Sequence, residues 1–235
     1  MRRSLVTIRP EPGCSATARA ANDCGLAIEC FPLFEIAPLA WSLPEGDYDG
    51  LLIGSANAFR LGGPNFEKLA GIPVYAVGEA TAAAAWERGF RTAAIGGGGL
   101  QGLLDDLAGK RLRLLRIAGE AHVDLAAPAG VEIVTAIAYR AEPQPVSPEL
   151  AEHLRGGAVV LLHSAEAARH FAAEVDRLGL ARGRIALAAL GSRILQAAGE
   201  GWAAARAARQ PNDPALLALA REMCHEPFPG RDGRQ

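Results

Sequence analysis

The chain of 235 residues lacks any C-x-x-C pair, although it contains four cysteines: Cys14, Cys24, Cys30 and Cys224. Its five histidines add no metal-ligand spacing: His122, His153, His163, His170 and His225. The sequence therefore predicts no metal site. We expect free thiols in a reducing compartment, which is the usual state of scattered cysteines in a cytoplasmic protein.

Strong charge of either sign and long apolar runs are also missing. The formal net charge is −2, which argues against a nucleic-acid partner and against a polybasic membrane patch. Apolar runs stay well below the ~20 residues of a membrane-spanning helix. The apolar part of segment 1–8 is too short for a signal peptide, and we interpret it as the first strand. These absences predict a cytoplasmic protein with no membrane partner.

Lysine is nearly absent, since Lys68 and Lys110 are the only lysines and the other basic residues are arginines. Arginine binds carboxylates through two parallel hydrogen bonds and therefore suits a ligand rich in carboxylates. A coding bias of the genome would produce the same excess, so composition alone does not decide between these explanations.

The chain does contain a regular alternation of short apolar runs and alanine-rich segments. Such an alternation predicts parallel sheets with helices on both faces. The first helix is predicted over 15–22 with Ser15 as its N-cap, and the proline-containing segment 27–38 is predicted as a strand that leads into a linker. Segment 226–235 is rich in glycine, proline and arginine, which predicts a disordered tail.

Two similar serine turns occur in the chain: Leu51-Leu52-Ile53-Gly54-Ser55-Ala56-Asn57-Ala58 and Val160-Leu161-Leu162-His163-Ser164-Ala165-Glu166-Ala167. Each is predicted as a buried strand that ends near a serine and continues as a helix. The first N–H groups of a helix have no partner within it, and such groups bind anions. The simpler interpretation is that Ser55 and Ser164 are N-caps with no further role.

Ligand contacts are expected from the N–H groups of Ser55, Ala56 and Asn57, and from a neighbouring helix start at Gly78 and Thr81. Neither serine lies in a G-x-S-x-G motif, and no His/Asp partner set accompanies them, which argues against a serine nucleophile. The turns therefore predict anion binding rather than acyl-enzyme chemistry.

Two proline-rich crossings bracket the middle of the chain, and each serine turn is followed by a strand that ends in glycine, at Gly78 and Gly191. We interpret the chain as an outer α/β domain, 1–36 plus 143–235, and an inserted inner α/β domain, 40–138. Segments 37–39 and 139–142 would then be hinge strands. Two similar halves, each with an anion site, indicate one shared ligand.

A competing interpretation comes from Gly97-Gly98-Gly99-Leu100-Gln101-Gly102, which fits the G-x-G-x-x-G pattern of dinucleotide-binding folds. Glu120, after the next strand, would then bind the ribose. Against this interpretation, four consecutive glycines satisfy the pattern easily, and the flanking strand and helix are short. A flexible loop is the simpler explanation.

Several short motifs follow one another along the chain: Arg9-Pro10, Phe34-Glu35-Ile36-Ala37-Pro38, Gly54-Ser55-Ala56-Asn57-Ala58, Val77-Gly78-Glu79-Ala80-Thr81-Ala82 with Gly89, Arg116 with Gly119, Tyr139, and His163-Ser164-Ala165 with Gly191. In this order and spacing the chain resembles the uroporphyrinogen-III synthase family over nearly its whole length.

The resemblance implies two flavodoxin-like α/β domains with parallel sheets, joined by a two-stranded β-ladder, with the active site in the cleft between them. It implies a lyase of haem biosynthesis whose substrate is hydroxymethylbilane, a linear tetrapyrrole that carries eight carboxylates. The enzyme removes water, closes the macrocycle and inverts ring D through an azafulvene cation and a spiro intermediate. It requires no cofactor or metal and is expected to act as a monomer.

Residue roles also follow from the resemblance. Tyr139 is the candidate general acid for departure of the hydroxyl group, and a packed linker tyrosine is the simpler alternative. The candidate substrate-binding residues are Arg9, Ser55, Ala56, Asn57, Gly78, Thr81, Ala82, Arg116, Ser164, Ala165, Gly191 and Ser192.

Three positions depart from the family pattern: Ile8 before Arg9-Pro10, His163 before the second serine, and Ile194 where the family often has threonine. Ser192 is the residue that would substitute through a shifted turn. The sequence also leaves open a non-catalytic, two-lobed module that binds a small anion, and the nicotinamide-dependent enzyme described above.

Overall fold

The computed structural model describes residues 3–225. Within this range the chain forms two compact units. Unit 1 contains residues 3–35 and 143–225, and unit 2 contains residues 36–142. Among the described residues, no helix is both long and apolar enough to cross a membrane.

The elements of the first part of the chain are β1 (Ser4–Thr7), α1 (Gly13–Asp23), β2 (Glu29–Cys30), β3 (Phe34–Pro38), β4 (Gly50–Ile53), α2 (Asn57–Leu61), a 3₁₀ helix (Gly63–Leu69), β5 (Val74–Val77), α3 (Glu79–Glu87), β6 (Thr92–Gly96), α4 (Gly99–Asp105), β7 (Leu112–Gly119) and β8 (Val131–Pro143). The second part contains α5 (Pro148–Gly156), β9 (Ala158–Leu162), α6 (Ala165–Arg177), a 3₁₀ turn (Arg182–Arg184), β10 (Ile185–Ala189), α7 (Ser192–Ala198), β11 (Ala204–Ala207) and α8 (Asp213–His225).

Unit 1 contains a five-stranded sheet with the strand order β11-β10-β9-β1-β2, and its four neighbouring pairs are parallel. Counted along the unit, this is the flavodoxin-like order 2-1-3-4-5. Because side chains alternate along a strand, Val160 and Leu162 pack against α5, α6 and α7, while Val159 and Leu161 pack against α1 and α8. Helices thus cover both faces of the sheet.

Unit 2 contains a six-stranded sheet with the order β3-β8-β7-β4-β5-β6, and the four pairs from β8 to β6 are parallel. Without β3, the order along the unit is 3-2-1-4-5, which is the other common doubly wound order. Leu51 and Leu115 pack against α2 and α3 on one face, and Leu52 and Leu114 pack against α4 on the other. The prediction of α/β domains with parallel sheets is confirmed.

The prediction of a strand that leads into a linker over 27–38 is wrong in its second part, because the structure forms a second strand there, and the two strands belong to different sheets. Phe31 N donates to Thr7 O (2.9 Å) and Leu33 N donates to Ile8 O (3.0 Å), so the chain still follows β1 at this point. Pro32 lies between them and has no N–H to donate, which ends β2. The next strand, β3, then pairs with β8.

The predicted N-cap at Ser15 is also wrong, since α1 begins at Gly13 after Pro12. The Glu11 carboxylate explains the difference: it accepts hydrogen bonds from Ser15 N (3.1 Å) and Ser15 Oγ (2.8 Å). An acidic side chain before the helix therefore satisfies a free N–H group of the first turn. The predicted tail over 226–235 lies outside the described residues.

The predicted hinge segments, 37–39 and 139–142, contain the ends of β3 and β8. Leu39 N donates to Ala138 O (2.8 Å) within unit 2, and Gln144 N donates to Leu33 O (2.9 Å) within unit 1. That these segments move as a hinge stays a prediction.

Candidate active site

Each sheet has a point at its carboxyl edge where the strand order reverses. In open parallel sheets, ligands bind in the crevice at this point. In unit 1 the reversal lies between β1 and β9, which end just before Arg9 and Ser164. In unit 2 it lies between β4, which ends just before Ser55, and β7, which carries Arg116. Predicted site residues therefore flank the reversal point of both sheets.

The inner serine turn agrees only in part with the N-cap interpretation. Ala56 already has helical backbone angles (φ −57°, ψ −20°), so Ser55 precedes the first helical residue, and Ser55 O accepts from Ala58 N (3.1 Å). The helix that follows, α2, has only five residues. Ser55 Oγ accepts a long hydrogen bond of 3.3 Å from Asn57 N. This weak local bond leaves most of the hydroxyl's hydrogen-bonding capacity for other partners.

Ser55 also interacts with Tyr139, the predicted acid. Burial raises the pKa of the Tyr139 hydroxyl, while the Ser55 side chain, the Gly119 backbone and the positive charge of Arg116 each oppose part of this shift. All three groups therefore favour the ionised phenolate over the phenol. Burial keeps the proton on the oxygen at neutral pH, and these neighbours stabilise the charge that remains once the proton has left.

A register shift places Tyr139 in this position. β7 and β8 pair Ala118 with Ile137, but the next pair is Gly119 with Tyr139, so one residue of β8 bulges out. Just beyond this pair, Glu120 N donates to Tyr139 O (2.9 Å). Gly119 leaves room for the ring, because a Cβ atom there would lie 2.6 Å from Tyr139 Cε2.

Arg116 is buried, with 4% of its surface exposed. Its Nη1 donates to Val123 O (2.8 Å), whereas its Nε has no hydrogen-bond partner among the described residues. Burial lowers the pKa of the guanidinium, and the charges of Asp124 and of an ionised Tyr139 oppose that shift. An unsatisfied buried donor is costly, so this cation favours any negative charge that forms beside it.

The neighbouring strand β5 ends at Gly78, whose φ of 77° lies in the region that glycine favours. Gly78 O accepts from Thr81 N (3.1 Å) and Ala82 N (3.2 Å), and both of these residues are buried. The N–H groups of Thr81 and Ala82 are therefore already occupied. By helix geometry, the donors that this turn offers to a ligand are those of Glu79 and Ala80.

The outer serine turn agrees with the N-cap interpretation. Ser164 caps the 13-residue α6, and its Oγ accepts from Ala167 N (3.1 Å). The hydroxyl is thus used by the helix, which leaves the N–H groups of Ala165 and Glu166 as the donors at this turn. On the next strand, Gly191 O accepts from Ile194 N (3.1 Å), and Ser192 is the exposed first residue of α7.

Arg9 lies in a charged cluster that the sequence does not predict. Its Nη1 is 3.2 Å from Asp213 Oδ2 and 3.2 Å from Thr17 Oγ1, and Thr17 Oγ1 donates to Asp213 Oδ2 (2.8 Å). His163 Nε2 is 3.3 Å from Asp213 Oδ1. Neither ring nitrogen has an aligned hydrogen bond among the described residues, so we regard this contact as electrostatic.

These neighbours hold Asp213 in its charged form. His163 makes the largest contribution, Thr17 and Arg9 add to it, and together they lower the pKa of the Asp213 carboxyl to about 2. Asp213 is the first residue of α8 and lies far from Arg9 in sequence. Only the Asp-Pro pair at a helix start marks it in sequence, and such a pair predicts a helix terminus rather than a partner for Arg9.

The glycine run 97–102 follows β6, an edge strand, rather than a strand at the reversal point. The helix that it begins, α4, has seven residues. Gln101 exchanges two hydrogen bonds of 2.9 Å with the backbone of Ala126, so a loop covers this helix start. This position is unlike that of a dinucleotide site, which lies at the reversal point.

The sequence of this chain matches one family of known proteins. The family model described as "Uroporphyrinogen-III synthase HemD" matches residues 15–218. No curated protein matches the chain significantly in sequence.

Solved structures share the fold. The uroporphyrinogen-III synthetase of Helicobacter pylori 26695 is 17% identical, with 94% of this chain and 99% of that chain covered and a TM-score of 0.63. A mutant uroporphyrinogen III synthase of Thermus thermophilus is 20% identical, with 95% and 100% covered and a TM-score of 0.51. At these identities the structural likeness shows the fold, while the family model covers most of the sequence.

Proposed function

The chain belongs to the uroporphyrinogen-III synthase family, and we propose that Tyr139 supplies the proton with which the hydroxyl group of hydroxymethylbilane leaves as water. Members of this family are lyases of porphyrin biosynthesis that act on a small-molecule tetrapyrrole. The observation that carries the proposal is the environment of the Tyr139 hydroxyl: the residue is partly buried, and Ser55, the Gly119 backbone and Arg116 each act on its hydroxyl.

The proposed step begins with the lone pair of the pyrrole nitrogen, which expels the hydroxyl group. The carbon–oxygen bond breaks, its electron pair stays on oxygen, and the Tyr139 proton converts the departing group to water. An azafulvene cation and a Tyr139 phenolate result. Arg116 and Ser55 stabilise the phenolate, and the proton released when the ring rearomatises after closure restores the phenol. A positioned acid of this kind contributes roughly 10²–10⁴-fold to a rate.

The carboxylates of the substrate require many separate donors. We propose that the N–H groups of Ser55 and Ala56 bind some of them, together with the helix start after Gly78, and that the Asn57 N–H joins them by exchanging its weak bond to Ser55 Oγ for the ligand. Fixed N–H groups at helix starts suit this task because they carry no conformational entropy cost of their own. In unit 1, Arg9 and the turns at Ser164, Ala165, Gly191 and Ser192 are proposed for the rest.

The test is Tyr139→Phe, with enzymatically generated hydroxymethylbilane as substrate and separation of the product isomers. We expect kcat for the type III isomer to fall roughly 100-fold or more with little change in KM, because only the acid is lost. Tyr48→Phe is the matched control. Tyr48 likewise lies in unit 2 with its hydroxyl in contact with the backbone, since it donates to Pro44 O at 3.0 Å.

Both variants should lose a similar amount of stability, on the order of 1 kcal/mol for one hydrogen bond. Thermal unfolding measures this loss. Equal kcat values in Tyr139→Phe and Tyr48→Phe would refute the acid role. If the unmodified chain yields only the type I isomer at the spontaneous rate but binds small anions, the non-catalytic anion-binding alternative is correct instead.

We further propose that the protein acts as a cytoplasmic monomer without a cofactor, and that segments 37–39 and 139–142 are its hinge. Sedimentation at working concentration tests the monomer. Full activity after dialysis against a chelator tests the independence from metals.

A further inference from the structure

We propose that Glu11, Cys14 and Cys30 form a binding site for a thiophilic divalent cation of the zinc class. The sequence predicts no metal site, because Cys14 and Cys30 lie far apart along the chain. In the structure, the two Sγ atoms and a carboxylate oxygen of Glu11 lie within 4.8 Å of one another. This proposal concerns a different set of residues from the proposed active site.

The β1–α1–β2 arrangement brings the three residues together. Cys30 is the last residue of β2 and pairs in register with Thr7 on β1. Cys14 lies in the first turn of α1, and its Sγ is 3.5 Å from Thr7 O. Both cysteines therefore lie beside the same residue of β1, and Glu11 belongs to the turn between that strand and the helix.

The donor set determines the class of cation. Two sulfur ligands and one carboxylate suit zinc or cadmium, whereas magnesium and calcium prefer oxygen ligands alone. With a Zn–S distance near 2.3 Å, tetrahedral ligands lie roughly 3.7 Å apart, so small side-chain movements suffice to enclose an ion. Three protein ligands leave a fourth position for water or a small thiol.

Supporting contacts hold the ligands in place. Ser15 N and Ser15 Oγ donate to the two oxygens of Glu11, at 3.1 and 2.8 Å, and each oxygen keeps a second lone pair for a cation. Cys14 is completely buried and Cys30 partly buried, so the site is shielded from bulk water on the protein side. Hydrogen bonds to the ligating groups are typical of metal sites in proteins.

The site lies next to Arg9. Gly13 is located between Glu11 and Cys14, and a Cβ atom there would be 2.4 Å from Arg9 Nε, so the guanidinium packs directly on this turn. A cation bound at the cluster would fix the first turn of α1 beside Arg9.

The experiment titrates the reduced, untagged full chain with zinc chloride and, separately, with cadmium chloride. Cadmium bound to thiolate produces an ultraviolet charge-transfer band. A carboxylate and imidazole cluster, such as Glu29, Glu149 and His153, produces no such band. We expect one equivalent of cadmium, with a band for two thiolates, and appearance of the same band when cadmium displaces bound zinc, because the softer ion binds thiolates more tightly.

Cys30→Ser is the main variant, because Cys30 is only partly buried and the chain should still fold. Its affinity should fall roughly 100-fold and its band by half, since one of two sulfur ligands is lost. Glu11→Gln should weaken binding while keeping the full band. Cys24→Ser, which alters an exposed free cysteine, is the matched control and should leave both unchanged.

Equal cadmium affinity in the unmodified chain and in Cys30→Ser would overturn the proposal. So would the absence of a charge-transfer band, or conversion of the thiol pair to a disulfide by mild oxidant without any metal uptake under reducing conditions. None of these readouts depends on turnover, so failure of the metal site and failure of the proposed acid are distinguishable.

Discussion

Gly119→Ala tests the geometry of the candidate active site most directly. A Cβ atom at this position would lie 2.6 Å from Tyr139 Cε2, 3.1 Å from Cζ and 3.2 Å from Cδ2. Ordinary carbon–carbon contacts are about 3.5–4.0 Å, so the ring has to move by roughly 1 Å. The ring is rigid and packs against the core of unit 2, so it cannot simply bend away from the new methyl group.

Two separate losses are expected from this displacement. Overpacking should reduce the free energy of unfolding by about 1–3 kcal/mol. Misplacement of a catalytic group by ~1 Å costs on the order of 100-fold in rate. Such a loss corresponds to about 2.7 kcal/mol of transition-state stabilisation. We therefore expect kcat for the type III isomer to fall about 100-fold while the protein remains folded at assay temperature.

The assay measures kcat and KM by isomer-resolved product analysis, and stability by urea unfolding. Gly102→Ala is the control, because Gly102 lies in α4 with open space where its Cβ would be. It should keep full activity and gain about 0.5–1 kcal/mol from the better helix propensity of alanine.

A double mutant separates misplacement of the hydroxyl from general damage. Tyr139→Phe keeps the ring but has no hydroxyl to misplace, so Gly119→Ala should reduce the activity of Tyr139→Phe by less than about threefold. The stability cost should persist, because the ring still clashes. If Gly119→Ala lowers kcat equally in both backgrounds, or leaves the activity of the unmodified chain intact, the reasoning about Tyr139 is wrong.

Three further substitutions test single contacts. Ser164→Ala should reduce the free energy of unfolding by about 1 kcal/mol, because the N-cap bond to Ala167 N is lost; no change in urea unfolding would contradict the cap. Asp213→Asn should reduce the free energy of unfolding by about 1 kcal/mol, a figure that is discounted because the carboxylate is partly exposed. This contribution is complete above the ordinary pKa of an aspartate and disappears as pH falls toward 2. Parallel acid-unfolding curves for the two proteins would contradict this. Glu174→Gln should cost about 1 kcal/mol, because the bond from Val146 N (2.9 Å) to the buried carboxylate loses its charge assistance and the half-exposed Arg177 loses its charged partner; an unchanged thermal midpoint would exclude that role.

The sequence predicts those features that depend on residues adjacent along the chain. The strand over Ala158–Leu162 agrees with the structure because five consecutive buried residues leave no other element for that segment. The interpretation of Ser164 as a cap is correct because its hydroxyl accepts from Ala167 N, only three residues further along the chain. The same rule applied to Ser15 is wrong, because the Glu11 carboxylate decides that helix start. At Ser55 the rule yields only a weak cap, since Asn57 N is 3.3 Å from Ser55 Oγ.

Features that depend on the sheet order are not predictable from the sequence. Asp213 reaches Arg9 only because α8 packs beside β1 and β9, and Cys30 reaches Cys14 only because β2 pairs with β1. Sequence patterns specify local structure, whereas these pairs are set by the strand order. The bulge that places Tyr139 beside Gly119 belongs to the same class, because it exists only in the pairing of two strands.

The two serine turns show how one motif takes different roles in two sheets. In unit 1, Ser164 begins a 13-residue helix, and the hydroxyl is occupied by the cap bond of that helix. In unit 2, α2 has five residues and Ser55 makes only a weak local bond, so its hydroxyl remains available to Tyr139. In unit 2 the neighbouring strand β7 also brings Arg116 to the inner turn, so the available hydroxyl lies beside a buried cation. Removal of the two hydroxyls should therefore have different consequences. Ser55→Ala should lower turnover more than stability, whereas Ser164→Ala should lower stability more than turnover.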